Sequence, residues 1–308
     1  MIDEVGSAWA KRWVAGAVFG LCALLAYNAP LHAQERDFSQ VEIETVSLGN
    51  DLYMLIGSGG NIGLSVGADG AFVVDDQFAP LTEKILAAIG EQTSEPVRWV
   101  LNTHWHGDHT GGNENLGEAG AMIVAHQNVY RRMNPEAFSD LVGRSDQQPA
   151  KALPVVTFDQ GVEFHWNGHD IKVTHISNAH TDGDAIVHFA DANVFHMGDT
   201  FFLGRFPFVD VNSGGGVDGV IAAANFVLKR ADEDTRIIPG HGTLATPDDL
   251  RSYRDGLEMV RMRVASLLAA GRTEDQVVAA DPAADLEPEW GDNSEGFVRA
   301  VYQSLSGR

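Results

Sequence analysis

His104-Trp105-His106-Gly107-Asp108-His109 constrains this chain more than any other stretch, because four metal-ligand side chains fall within six residues directly after the apolar run Val97–Thr103. A buried strand must therefore end in a loop that holds its side chains in register. In extended backbone alternate side chains share a face, so His104 and His106 can reach one ion. Asp108 and His109, displaced by the turn at Gly107, can reach a second. Imidazole with carboxylate fits zinc best, with iron or manganese as alternatives. A loop of merely solvated histidines would need no matching residues downstream, and here they exist.

Three further sites each follow an apolar strand-like run: His180 in Asn178-Ala179-His180-Thr181, Asp199 in Met197-Gly198-Asp199-Thr200, and His241 in Pro239-Gly240-His241-Gly242. Cys22, the one cysteine, lies in an N-terminal apolar segment. A mature chain without it has no disulfide and no thiolate ligand, which leaves His, Asp and Glu.

That N-terminal segment reads as a secretory signal. Lys11 and Arg12 precede an apolar run from Trp13 to Ala26, and Leu31-His32-Ala33 ends in a small residue. The run is short against the roughly 20 residues needed to span a bilayer. The expectation is a cleaved signal over residues 1–33, a catalytic domain over 34–308, and an exported protein, periplasmic or secreted, with no stable membrane association after cleavage. A formal net charge of -22 repels phosphate backbones and argues against a nucleic-acid partner. A small-molecule substrate is expected; oligomeric state is open.

Along the mature chain, strands are expected at Asp51–Ile56, Asn61–Val66 and Ala71–Asp75, separated by glycine-rich turns. A helix follows at Pro80–Ile89, strands at Val97–Thr103 and Met122–Ala125, and a helix at His126–Met133. Asn134–Pro154 is polar and aperiodic and reads as a long excursion. Next come a hairpin, Gly161–Trp166 and His169–Ile176, around Asn167-Gly168, then strands at Asp184–Phe189, Asn193–Met197 and Arg236–Ile238. Helices are expected at Asp218–Arg230, Asp248–Ala269 and Thr273–Ala280. Two β-rich halves, each closing with helices, predict two sheets packed face to face with helices outside, and ligands along one edge.

The HxHxDH run, the His-Thr, Gly-Asp-Thr and Pro-Gly-His-Gly segments, in this order and spacing, resemble the metallo-β-lactamase superfamily over nearly all of the mature chain. The resemblance implies a four-layer αβ/βα sandwich. It makes His104, His106 and His180 the ligands of a first metal, Asp108, His109 and His241 those of a second, and Asp199 the bridge. Two zinc ions are the expected cofactor. The implied chemistry is hydrolysis of a carbonyl compound by hydroxide activated between the metals, with Asp108 also orienting the nucleophile.

β-Lactam hydrolysis is placed first, and a lactonase, esterase or thioesterase resembling glyoxalase II second; a non-catalytic metal-binding accessory protein is the remaining alternative. Asp199 stands where the best-known zinc β-lactamases carry Cys or Ser, and looks more like glyoxalase II and the lactonases. The tail after His241, however, is acidic and shows no basic clamp for glutathione. His106 departs from the Glu of the flavodiiron oxygen reductases, which favours hydrolysis.

The run from Phe201 to Phe208 follows the bridging position, so Phe202 and Phe206 are candidate walls of the cleft and Arg205 a candidate anchor for a substrate carboxylate. Gly57-Ser58-Gly59-Gly60-Asn61 corresponds to the hairpin loop that overhangs the cleft in the family the chain resembles; here it is short and lacks apolar flap residues, so a more open site is expected. Trp105 is expected in packing. His126, His165, His169, His175, His188 and His196 lack motif context and are expected to serve as surface or hydrogen-bonded residues.

Overall fold

Asn50 and Asp51 open the fold by reversing the chain with φ of 53° and 56°, the left-handed backbone that a tight hairpin demands and that Asn and Asp tolerate. The computed structural model describes residues 37–138, 145–292 and 294–307. The expected signal over 1–33, Cys22 and part of the polar excursion lie outside the described residues. Residues 38–308 form one compact unit.

That reversal joins β1 (Glu44–Gly49) to β2 (Leu52–Ile56), followed by β3 (Ile62–Ser65), β4 (Ala71–Val74), α1 (Thr82–Gly90), β5 (Val97–Leu101), α2 (Gly107–Thr110), α3 (Asn113–Glu118), β6 (Met122–His126), α4 (Gln127–Met133) and β7 (Val156–Phe158). The strands form one sheet in chain order, antiparallel up to β4 and parallel from β4 to β7. A second sheet runs β12-β11-β10-β9-β8. It contains β8 (Gly161–Trp166), β9 (His169–His175), β10 (Ala185–Phe189), β11 (Val194–His196) and β12 (Arg236–Ile238). Helix α5 (Val217–Leu228) crosses from β11 to its parallel neighbour β12. Helices α6 (Pro247–Ala269), α7 (Glu274–Ala279), α8 (Glu287–Trp290) and α9 (Ser294–Ser306) complete the chain.

Strand alternation sorts the side chains into layers. Phe72, Val74, Leu101 and Val124 of the first sheet meet Ile171, Val173, Val187 and Ile238 of the second in a core between the sheets. The opposite faces carry helices: Leu64 and Val73 pack on Ile85 and Ile89 of α1, while Phe195 and Ile237 pack on Val220 and Val227 of α5 and Leu257 of α6. The four-layer αβ/βα sandwich expected from the sequence is present. Each such aliphatic or aromatic side chain, fully buried, stabilises the fold by about 1.5–3 kcal/mol.

Helices α2, α3, α8 and α9 and strand β7 go beyond the sequence-based expectations. The turn at Gly107 is the first residue of α2, so Asp108 and His109 sit on a helical turn rather than in a loop. In α9, Phe297, Val298, Val301 and Tyr302 have helical spacing and are buried against α5 and α6. Among the described residues, no helix is long and apolar enough to cross a membrane.

Candidate metal centre

Strand ends bring the singled-out residues together. His104 follows β5, His180 follows β9, Asp199 follows β11 and His241 follows β12, all beyond the carboxyl ends of their strands. Ligand sites of α/β sheets form at such ends. Two groups result: His104, His106, His180 and Asp199, and Asp108, His109 and His241, each with one potential ligand atom per residue within 4.8 Å of the others.

In the first group three ring nitrogens converge. His106 Nδ1 lies 3.1 Å from His104 Nε2 and 2.8 Å from His180 Nε2. The outer nitrogens fix the tautomers. His180 Nδ1 donates to the Phe208 carbonyl at 2.6 Å, and His106 Nε2 donates to Asp210 Oδ2 at 3.0 Å. Each ring thereby turns a lone pair inward, the usual wiring of a metal-binding histidine. Asp184 anchors the His180 loop by accepting from the Thr181 amide and hydroxyl, and burial pushes its own carboxyl up to about 8.

The second group is wired through Asp75. This fully buried carboxylate accepts from His109 Nδ1, the Thr103 amide and the Thr103 hydroxyl, each at 2.7 Å. Thr103 in turn contacts His104 Nδ1 at 3.1 Å, so Asp75 bears on both groups. Asp199 stands between them: Oδ1 lies 3.0 Å from His109 Nε2 and 3.3 Å from His241 Nε2, while Oδ2 lies 3.6 Å from His180 Nε2 and 3.8 Å from His104 Nε2. Asp108 Oδ2 is 3.4 Å from His241 Nε2.

These residues fit a divalent metal. His109 Nε2 and Asp199 Oδ1 are buried and face each other without the alignment of a hydrogen bond. Three inward lone pairs at 2.8–3.1 Å likewise leave a shared position only a cation satisfies. Electrostatics divides the groups. Burial, reinforced by neighbouring imidazoles, holds His104 well below the usual histidine range, and burial brings His180 down to about 4. Burial also opposes a charge on His109 and His241, but there carboxylates win. Asp199 and Asp75 raise His109 well above its usual value, and Asp199 and Asp108 bring His241 to about 9. Against its own burial, Asp108 is pulled down to about 2, chiefly by the His241 hydrogen bond.

The second-tier candidates lie outside the two clusters. Phe202 is buried and stacks on His241 at 5.2 Å, so it backs the histidine rather than forming an open wall. Phe206 packs on Trp290 and Phe297, and Arg205 is exposed. Trp105 packs against Ala125, Val129 and Met133 as expected. His196 is buried and bonded to the Asn61 carbonyl, and His126 and His175 stack on each other at 3.7 Å. The loop at Gly57–Gly60 seats directly on the centre: Gly60 N donates to the Asp108 carbonyl, and a Cβ on Gly60 would overlap the His109 ring.

Asp75 and Asp210 are contributors missed from sequence, as is the bond from His180 to the Phe208 carbonyl. Asp75 carried a signal, an acid closing the apolar run Ala71–Val74. Asp210 carried none, because its bond to His106 joins residues 104 positions apart.

Fold and centre together define an αβ/βα sandwich carrying a His/Asp cluster that could hold a metal. The sequence pattern of the metallo-β-lactamase superfamily matches residues 55–268, and the chain belongs to that superfamily. Curated relatives include a hydroxyacylglutathione hydrolase of Polaromonas sp., 29% identical over 167 residues, covering 53% of this chain and 55% of that one. Another, from Erythrobacter litoralis, is 32% identical over 107 residues, covering 34% and 35%. The chain thus spans about half the length, or less, of these relatives. Among solved structures, a metallo-β-lactamase from Pontibacter korlensis shares the fold with a TM-score of 0.58 at 18% identity, covering 70% of this chain and 99% of that one. An inverting sec-alkylsulfatase from Pseudomonas sp. gives 0.64 at 16%, covering 85% and 50%.

Proposed function

We propose that the protein is a dinuclear zinc hydrolase of carboxylic esters or thioesters. His104, His106 and His180 hold the first ion, Asp108, His109 and His241 the second, and Asp199 lies between them. The observation that carries this reading is Asp199, whose two oxygens face different histidine groups from one buried carboxylate. Hydroxyacylglutathione hydrolases among the relatives support the ester and thioester class, which moves it ahead of the β-lactams favoured from sequence. Lactams remain the second reading, carried by the shared superfamily.

When bound, two divalent cations supply an acidified water and polarise a carbonyl oxygen. The protein's own residues do the rest. Asp108, with its side chain 27% exposed, is the carboxylate of the centre that meets solvent, and it orients the attacking water. Asp75 and Asp210 fix the imidazole tautomers, so no side chain reorganises as charge develops. Phe202 and the Gly60 backbone close the floor behind His241 and His109.

The test is a turnover panel on zinc-loaded protein with metal content measured in the same sample: S-lactoylglutathione, an aryl ester, an acyl-homoserine lactone, a penicillin and a carbapenem. Chelator-sensitive cleavage fastest on the ester or thioester, with two metals per chain, is expected. Fast opening of the penicillin with slow ester cleavage would install the second reading; no turnover of any compound by two-metal protein would overturn both.

A further inference from the structure

A pocket of about 350 Å³ opens between the segment after Asp199 and helix α9. That volume lies at the lower end of small-molecule sites. Phe206, Phe208 and Val209 line one side, Phe297 and Ala300 the other. Phe208 joins the pocket to the metal centre. Its ring lies 5.9 Å from that of His106 and 5.7 Å from that of His180, yet the residue is 61% exposed. An exposed phenylalanine at the rim of a polar centre is apolar surface that a ligand can remove from water.

Of the polar side chains that line this pocket, Asp210, Arg299 and Gln303 are engaged within the fold, and Asn212 is exposed at its edge. Asp210 is engaged by His106 and Ser213. Arg299 is held by Glu274, Asp275 and Glu295, and Gln303 donates to Glu274. Arg299 would have to break these pairs to receive a substrate carboxylate. Between these groups Phe206, Phe208, Val209, Phe297 and Ala300 offer a ligand hydrocarbon surface.

We propose that this pocket is a specificity subsite that takes an uncharged apolar arm of the substrate, aliphatic or aromatic, next to the scissile carbonyl. The proposal rests on the hydrolase reading above and narrows it toward apolar esters and thioesters. Gly296 supplies the means of testing it. It lines the pocket from an exposed position on α9, and a Cβ there meets nothing within 4 Å. In Gly296→Phe the new ring can fill the space without moving backbone.

Zinc-loaded wild type and G296F are compared on two series, p-nitrophenyl acetate to hexanoate and methyl to hexyl acetate. The first lengthens the acyl arm and the second the alcohol arm. In wild type kcat/KM rises by about fourfold per added methylene in one series, the gain expected from burying a methylene. G296F loses that rise while keeping short-ester turnover, metal content and melting temperature. Profiles flat in both series, or a rise that survives G296F, overturn the proposal. Ligand-observed NMR with 1-hexanol as probe separates this failure from failure of the hydrolase reading. Saturable binding lost in G296F upholds the pocket even if no ester is cleaved, and absent binding with flat profiles removes it.

Discussion

His180 in the first cluster is held down to about 4, whereas His241 in the second is raised to about 9, although both rings stand within 4 Å of the same Asp199 carboxylate. Burial dominates at His104 and His180, where the rings crowd one another and lean on a hydroxyl and a carbonyl. Carboxylates dominate the second cluster, where Asp75, Asp108 and Asp199 surround two imidazoles. His104 and His180 are therefore deprotonated and ready for a cation at neutral pH, while His109 and His241 must release protons before they ligate. On the proposed two-metal reading, the first cluster is expected to fill before the second.

The largest way to break this comparison is Asp199→Ala, which removes the group both clusters share. Turnover is expected to fall by roughly 10²–10³-fold, the order seen when one group stabilising developing charge is lost. Metal analysis alongside kinetics checks it; two tightly held ions and near-normal rates would take Asp199 out of the centre.

A sharper test sets Asp75→Asn against Asp210→Asn. Losing a partner of a ligating histidine weakens metal binding by about 10–100-fold. Asp75→Asn should weaken both ions, because Asp75 reaches His109 directly and His104 through Thr103. Asp210→Asn should weaken the first alone. Chelator competition with Co²⁺ reads both affinities, and equal losses at both sites in Asp210→Asn would dissolve the distinction.

The pH responses should also be opposite. In metal-free protein the stability contributed by raised His241 is complete below its unfolded value near 6.5 and is lost as pH climbs through about 9. For depressed His180 the contribution is present above about 6.5 and is lost as pH falls to about 4. Denaturant melts at pH 5, 7 and 9 should thus show a neutral maximum. Affinity for the second ion should rise by up to about tenfold per pH unit between 7 and 9. A flat second-site affinity over that range contradicts the electrostatic contrast.

The smallest effect belongs to Arg205→Ala. An exposed side chain away from both clusters is worth about 0.5 kcal/mol or less, so KM should stay within about twofold on every substrate of the panel. A larger rise in KM for an anionic substrate alone would return Arg205 to the cleft.

Much of the centre was readable from the sequence because metal ligands must follow strand ends in a rigid order, and the HxHxDH run with His180, Asp199 and His241 keeps that order. The layers were readable for a similar reason, since alternation in Ala71–Val74 or Ala185–Phe189 leaves few ways to bury both faces. The supporting residues were not. Asp210 looks like any acid in a chain with 43 of them, and only folding sets it against His106. Helix α9 was hidden in an acidic tail, although Phe297, Val298, Val301 and Tyr302 carry a helical stripe. Short α2 could not be told from a turn, because four residues hold too little periodicity to declare a helix.

The glycines pressed against the centre set how such a protein can diversify. A side chain at Gly60 would occupy the place of the His109 ring, and one at Gly240 would collide with Asp199 Oδ1. The floor of the site is closed to single substitutions there, however favourable their chemistry. On the proposed subsite, changes in substrate preference fall instead to the segment around Phe206 and Phe208 and to α9, where Gly296 opens onto space. If the hydrolase reading holds, inheritance of the reaction and drift of its substrate fall to different parts of the chain.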